Sequence, residues 1–213
     1  MLIIIYWRKD KKMEIKSFVL GETQIDYLID EDKNVGMQIF PKSEAEKRTK
    51  PWEIKNEPYD PRAKYRHMWD MGKLAYFHLS SQNSDFPGYT MKSDDKLTLV
   101  SQEITENNET TTIKTILKNG DNCKIIHSLT YVSGHYGFEI ETEFVNETGS
   151  DVTLEMLSSF ALDNLSPFQT DDAPNSNNLH RFYGGWSMEG KHVCQSIEEL
   201  SLEKTWAGYN GNN

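Results

Sequence analysis

Chemistry in this chain has three sources: six histidines, many carboxylates, and two segments where arginine, carboxylate and tryptophan occur together. The histidines are His67, His78, His127, His135, His180 and His192, and none lies at the tight spacing of a metal site. His127 falls on the apolar face of a strand pattern, where a hydrogen-bonded core histidine is expected. His180 precedes Arg181 in a polar stretch and is the better site candidate. Cys123 and Cys194 are too few for a disulfide framework and too far apart for a zinc pattern, so reduced, largely buried thiols are expected. The chain has no phosphate-cradling glycine motif and no Gly-x-Ser-x-Gly elbow. No metal and no cofactor is assigned.

Paired carboxylates can act as acid and base on a glycosidic bond. Glu139, Glu141 and Glu143 alternate with apolar residues and read as a solvated strand face. Asp171-Asp172 reads as part of a loop. No two carboxylates stand in the distinct environments that acid and base roles require, so no catalytic residue is assigned.

The two mixed segments are Tyr59 to Asp70, containing Asp60, Arg62 and Trp69, and Arg181 to Gly190, containing Trp186 and Glu189. Sugars are gripped by aromatic faces and by charged groups that bond hydroxyls bidentately. The same residue types also build a structural arginine–carboxylate lock around a buried tryptophan. The first segment fits both readings. The second, with His180, Arg181, Trp186 and Glu189, is expected to be the structural lock.

The elements that must position these residues are strands. Gln24 to Asp30 places Ile25, Tyr27 and Ile29 on one face, and Val35 to Phe40 does the same with Val35, Met37 and Ile39. The polar run Asp30 to Asn34 is the turn between them. From Lys42 to Arg66 the alternation stops, and Pro51, Pro58 and Pro61 break regular structure. Further strands are expected at Leu74 to Leu79, Leu97 to Ile104, Thr110 to Leu117, Cys123 to Tyr131, Phe138 to Val145, Val152 to Phe160 and Leu200 to Trp206. Asn119-Gly120 marks a hairpin. The strand from Cys123 turns Cys123, Ile125, His127, Leu129 and Tyr131 to one face. No stretch has the length and period of a major helix. Short strands with hairpin turns predict an all-β antiparallel sandwich with long loops and little helix.

At 213 residues the chain can bury a sizeable core, and 11% aromatic residues argue against disorder. A net charge of −10 repels phosphate backbones and anionic membranes, so neither nucleic acid nor a membrane is an expected partner. Neutral sugars are indifferent to that field. The apolar run Met1 to Trp7 precedes the charged run Arg8 to Lys12, the reverse of a signal peptide, and is too short to span a bilayer. Residues 1–12 are expected to be a tail outside the fold, with Met1 or Met13 as the start, 13–206 the sandwich and 207–213 a truncated C-terminal tail. A cytoplasmic location is expected.

An ordered series of fragments carries a family likeness: Gly88-Tyr89-Thr90-Met91, Leu154 to Phe160, Ser166-Pro167-Phe168, His180-Arg181-Phe182, Trp186 to Gly190, and Leu202 to Trp206. Their order and spacing resemble the front domain of glycoside hydrolase family thirty-six, the α-galactosidases, over about Met13 to Trp206. The resemblance implies a β-supersandwich of galactose-mutarotase-like type, followed by a catalytic (β/α)₈ barrel. The barrel holds both catalytic aspartates and needs about 250 residues. It also implies that sandwich loops reach the sugar pocket, in some members across a subunit boundary, which admits a homo-oligomer. Asp60, Arg62 and Trp69 would then contact substrate. A galactoside would be bound only together with the barrel, and the chain alone would be inactive. Two alternatives stand beside this: a free-standing carbohydrate-binding or scaffold sandwich, and a mutarotase-like epimerase with His127 as its nearest candidate base.

Overall fold

The computed structural model describes residues 2–7, 12–48, 72–80, 97–162, 165, 168 and 177–200. The described chain is all-β with one short 3₁₀ helix, Lys42–Lys47. The strands are β1 (Leu2–Trp7), β2 (Lys12–Leu20), β3 (Thr23–Asp30), β4 (Val35–Pro41), β5 (Phe77–Leu79), β6 (Thr98–Glu106), β7 (Thr110–Lys118), β8 (Cys123–Val132), β9 (Phe138–Asn146), β10 (Leu154–Leu157), β11 (Asn178–Tyr183) and β12 (Lys191–Ser196). They form two four-stranded antiparallel meanders, β1-β2-β3-β4 and β6-β7-β8-β9, and two strand pairs, β5 with β10 and β11 with β12. Two compact units result: Met1–Lys47 with Asp70–Asn164, and Arg48–Trp69 with Leu165–Asn213.

In the first unit one hydrophobic cluster joins both meanders. Phe18, Ile25, Tyr27, Ile29, Val35 and Met37 come from the first sheet, and Ile113, Leu117, Cys123, Ile125 and Leu129 from the second. Strand alternation puts every second residue into this core, which is why the residues of β8 from Cys123 to Leu129 alternate between buried and half-buried. β9 alternates as expected, with Phe138, Ile140 and Phe144 packed against the core and the three glutamates exposed.

Three expectations need correction. β3 is buried on both faces, since Asp26 and Leu28 are as inaccessible as Ile25 and Tyr27. Its alternation marks which residues meet the core cluster but not that the opposite face is also covered. Residues 2–7, expected outside the fold, form an edge strand paired with β2 from Leu2↔Ser17 to Trp7↔Lys12. A β-branched and aromatic run satisfies its backbone best by adding to a sheet. Val152 to Phe160 narrows to β10, which pairs with β5 and not with either meander.

Two hairpin loops share one design. After β3, Lys33 N–H donates to Asp30 O and Asp30 N–H to Asn34 O, while the Asp30 carboxylate accepts from the Asn34 N–H at 2.8 Å. After β7, Asn122 N–H donates to Asn119 O and Asn119 N–H to Cys123 O, and the Asn119 side-chain oxygen accepts from the Cys123 N–H at 2.8 Å. Each is a three-residue loop closed by a left-handed residue, Lys33 at φ +62° and Asn122 at φ +63°. The Asn-Gly pair thus locates the second turn, but Asn122, not Gly120, takes the positive φ.

Candidate functional site

The site that the structure assembles lies on the β11–β12 hairpin of the second unit. These strands pair in unbroken register, with His180 opposite Cys194 and Phe182 opposite His192. Opposed residues share a face, so these four side chains form one surface, while Leu179, Arg181, Tyr183, Val193 and Gln195 point the other way. The turn between the strands closes through Gly190 N–H to Tyr183 O at 2.9 Å, with Gly190 at φ +75° and Ser187 at φ +64°.

Three of the four form a line. The Cys194 Sγ lies 3.7 Å from His180 Nε2. The other nitrogen of that ring, Nδ1, lies 2.8 Å from His192 Nε2. The two imidazole planes are parallel within 4°, so the shared hydrogen bond runs between well-aligned rings. Phe182 stacks on His192 at 5.0 Å and 25°, fixing that ring from its face. An N–H···N bond needs one donor and one acceptor, so one ring must present N–H and the other a lone pair.

This constellation is not visible as a sequence spacing. His180 and Cys194 are 14 residues apart, and only the hairpin register brings them together. Cys194 is exposed, which corrects the expectation of two buried thiols, while Cys123 is buried.

The anticipated lock is also corrected. Trp186 is 97% exposed, not buried. Arg181 donates to the Gln195 side-chain oxygen across the strand pair, and Glu189 is exposed in the turn. The reason is local: two glycines and a tight turn carry Trp186 beyond the strand pair. Asp60, Arg62 and Trp69, the candidate sugar contacts, lie outside the described residues.

His127 is fully buried in the first unit, and neither ring nitrogen has a side-chain hydrogen-bond partner among the described residues. The core position is as expected: Ile125 and Leu129 flank the ring along β8, and Thr115 and Thr142 stand opposite it on β7 and β9. Burial pushes its pKa down to about 4, so the ring is neutral at ordinary pH. A fully inaccessible ring cannot meet a sugar, so His127 cannot be the base of an epimerase.

Other carboxylates serve structure. Glu155 meets His78 Nδ1 at 2.8 Å between β10 and β5, and Glu147 pairs with Lys118 at 3.0 Å and with Lys124. These lysines hold the exposed Glu147 carboxyl below its ordinary range. An open hollow of about 630 Å³ lies at the β8–β9 turn, walled by Val132, His135, Tyr136, Phe138 and Glu139. Among the described residues no cluster of three or more metal-ligating side chains has the geometry to hold a metal ion. No described helix is long and apolar enough to cross a membrane.

No protein-family model, no curated protein and no solved structure matches this chain.

Proposed function

We propose that this chain is the non-catalytic front β-sandwich of an α-galactosidase-like glycoside hydrolase, acting on terminal α-galactosides only together with a catalytic barrel. The observation that carries this reading is the ordered series of family-like fragments from Gly88 to Trp206 along a chain whose described part is all-β. The fragment from Arg181 to Gly190 gives the reading a physical role. It ends in a turn that exposes Trp186, with Met188 at 48% exposure. Apolar side chains grouped this way are the kind of surface that a neighbouring domain covers, and interfaces between domains are typically about 600–1,500 Å². Asp30 caps a loop and Glu147 and Glu155 stand in ion pairs, roles suited to a scaffold.

The test is hydrolysis of an aryl α-galactoside by the purified chain and by the same chain joined to the sequence that its reading frame encodes downstream. The expected result is no turnover by the chain and turnover by the joined polypeptide, with an aryl β-galactoside untouched. Turnover that co-purifies with the chain alone, or a joined polypeptide inert toward α-galactosides, would overturn it.

A further inference from the structure

We propose that Cys194, His180 and His192 form a reactive-thiol site that exchanges with small disulfides. The inference is independent of the glycosidase reading and rests on the line of three side chains across β11 and β12.

Each member has a geometric role. A thiol becomes an effective nucleophile when an adjacent base takes its proton, and the base works best when a third group orients it. Cys194 Sγ is exposed and 3.7 Å from His180 Nε2, within the range of a sulfur hydrogen bond. For His180 Nε2 to accept the proton, the neutral ring must carry its own proton on Nδ1. That Nδ1–H then donates to His192 Nε2 at 2.8 Å, which sets the tautomer of both rings. Phe182 holds His192 in place by stacking on it. Cys194 is thus the nucleophile, His180 its base, and His192 a positioning residue.

The reaction balances without a further co-reactant. Cys194 Sγ attacks one sulfur of a disulfide RSSR as His180 Nε2 takes the thiol proton. The Sγ–S bond forms, the S–S bond breaks, and the electron pair leaves on RS⁻. That thiolate recovers the proton from His180, giving a mixed disulfide on Cys194 and one RSH. Cys194 is oxidised and the departing sulfur reduced. While His180 is an imidazolium, its bond to His192 is charge-assisted and stronger than in the resting state. Cys123, buried in the first unit, is an internal control that should stay silent in the folded protein.

The experiment follows release of the chromophoric thiol from a neutral dipyridyl disulfide, using the full chain. The folded protein should react in one fast step that Cys194→Ser abolishes. That step should be faster than the reaction of Cys194 in urea-unfolded chain carrying Cys123→Ser. His180→Gln should slow it by at least about tenfold, less than a typical general-base effect because a thiol is already partly ionised without a base. His192→Leu should slow it as well, whereas His192→Gln, which keeps an acceptor for the His180 N–H, should restore most of the rate. A folded-state rate no faster than the unfolded one would overturn the proposal whether or not any histidine variant folds. So would a folded His180→Gln protein that reacts like the wild type, or equal rates for the two His192 variants.

Discussion

The hydroxyl of Tyr131 occupies the place that a side chain at Gly21 would need, 2.5 Å from where its β-carbon would stand. Gly21 lies in the turn between β2 and β3, and Tyr131 is on β8, so this contact brings the two sheets of the sandwich together. Gly21 also has φ +62°, a conformation that L side chains rarely adopt. Gly21→Ala should therefore cost about 1–2 kcal/mol from the backbone alone, with a further loss from the clash. Urea unfolding checks this, and the same substitution in a Tyr131→Phe background should cost less because the hydroxyl is gone. Equal losses in both backgrounds would show that the ring, not the hydroxyl, sets the limit.

His127 should make stability pH-dependent. Its folded pKa is lowered from 6.5 to about 4, so the unfolded chain takes up a proton in that window and the folded chain does not. The contribution is fully present above the unfolded value and is lost as the pH falls through the window, amounting to about 3 kcal/mol in all. His127→Leu should flatten this dependence, because the titrating ring is gone. Denaturant midpoints at neutral pH and near pH 5 are the measurement. A variant with the same pH dependence as the wild type would refute the assignment.

The paired hairpin loops predict opposite outcomes at neighbouring positions. Asp30→Ala and Asn119→Ala each remove a side-chain acceptor for the loop backbone and should cost about 1 kcal/mol. Lys33→Gly relieves a left-handed residue that has a β-carbon, and should leave stability equal or raise it by up to about 1 kcal/mol. Asn122→Gly should gain less, because asparagine tolerates that conformation better than lysine does. Thermal melts of the four variants would show the order, and a destabilised Lys33→Gly protein would count against the shared design.

The exposed turn of the second hairpin should drive association. Trp186→Ser with Met188→Ser removes two apolar side chains that are 97% and 48% exposed. The double variant should bind less hydrophobic dye and stay monomeric at higher concentration, while its melting temperature stays near that of the wild type, as for surface substitutions within about 0.5 kcal/mol. Sedimentation at several concentrations is the check. A large drop in melting temperature would mean that these side chains support the fold.

Where one local period decides the structure, the sequence was enough. β8 and β9 were legible because residues two apart share a face, so the inward set from Cys123 to Leu129 and the outward glutamates follow from order alone. Asn119-Gly120 located a turn because few dipeptides tolerate tight loops, yet it did not show that Asn122 closes the loop. β11 and β12 are not legible in the sequence, since His180, Arg181, Phe182 and Tyr183 offer no contrast between an apolar and a polar face. What only the tertiary structure decided was adjacency across strands. The second buried face of β3, the complete burial of His127 and the approach of Cys194 to His180 all depend on register and layering. Those are set by which strands pair and stack, and residues far apart in the chain carry no local mark of that choice.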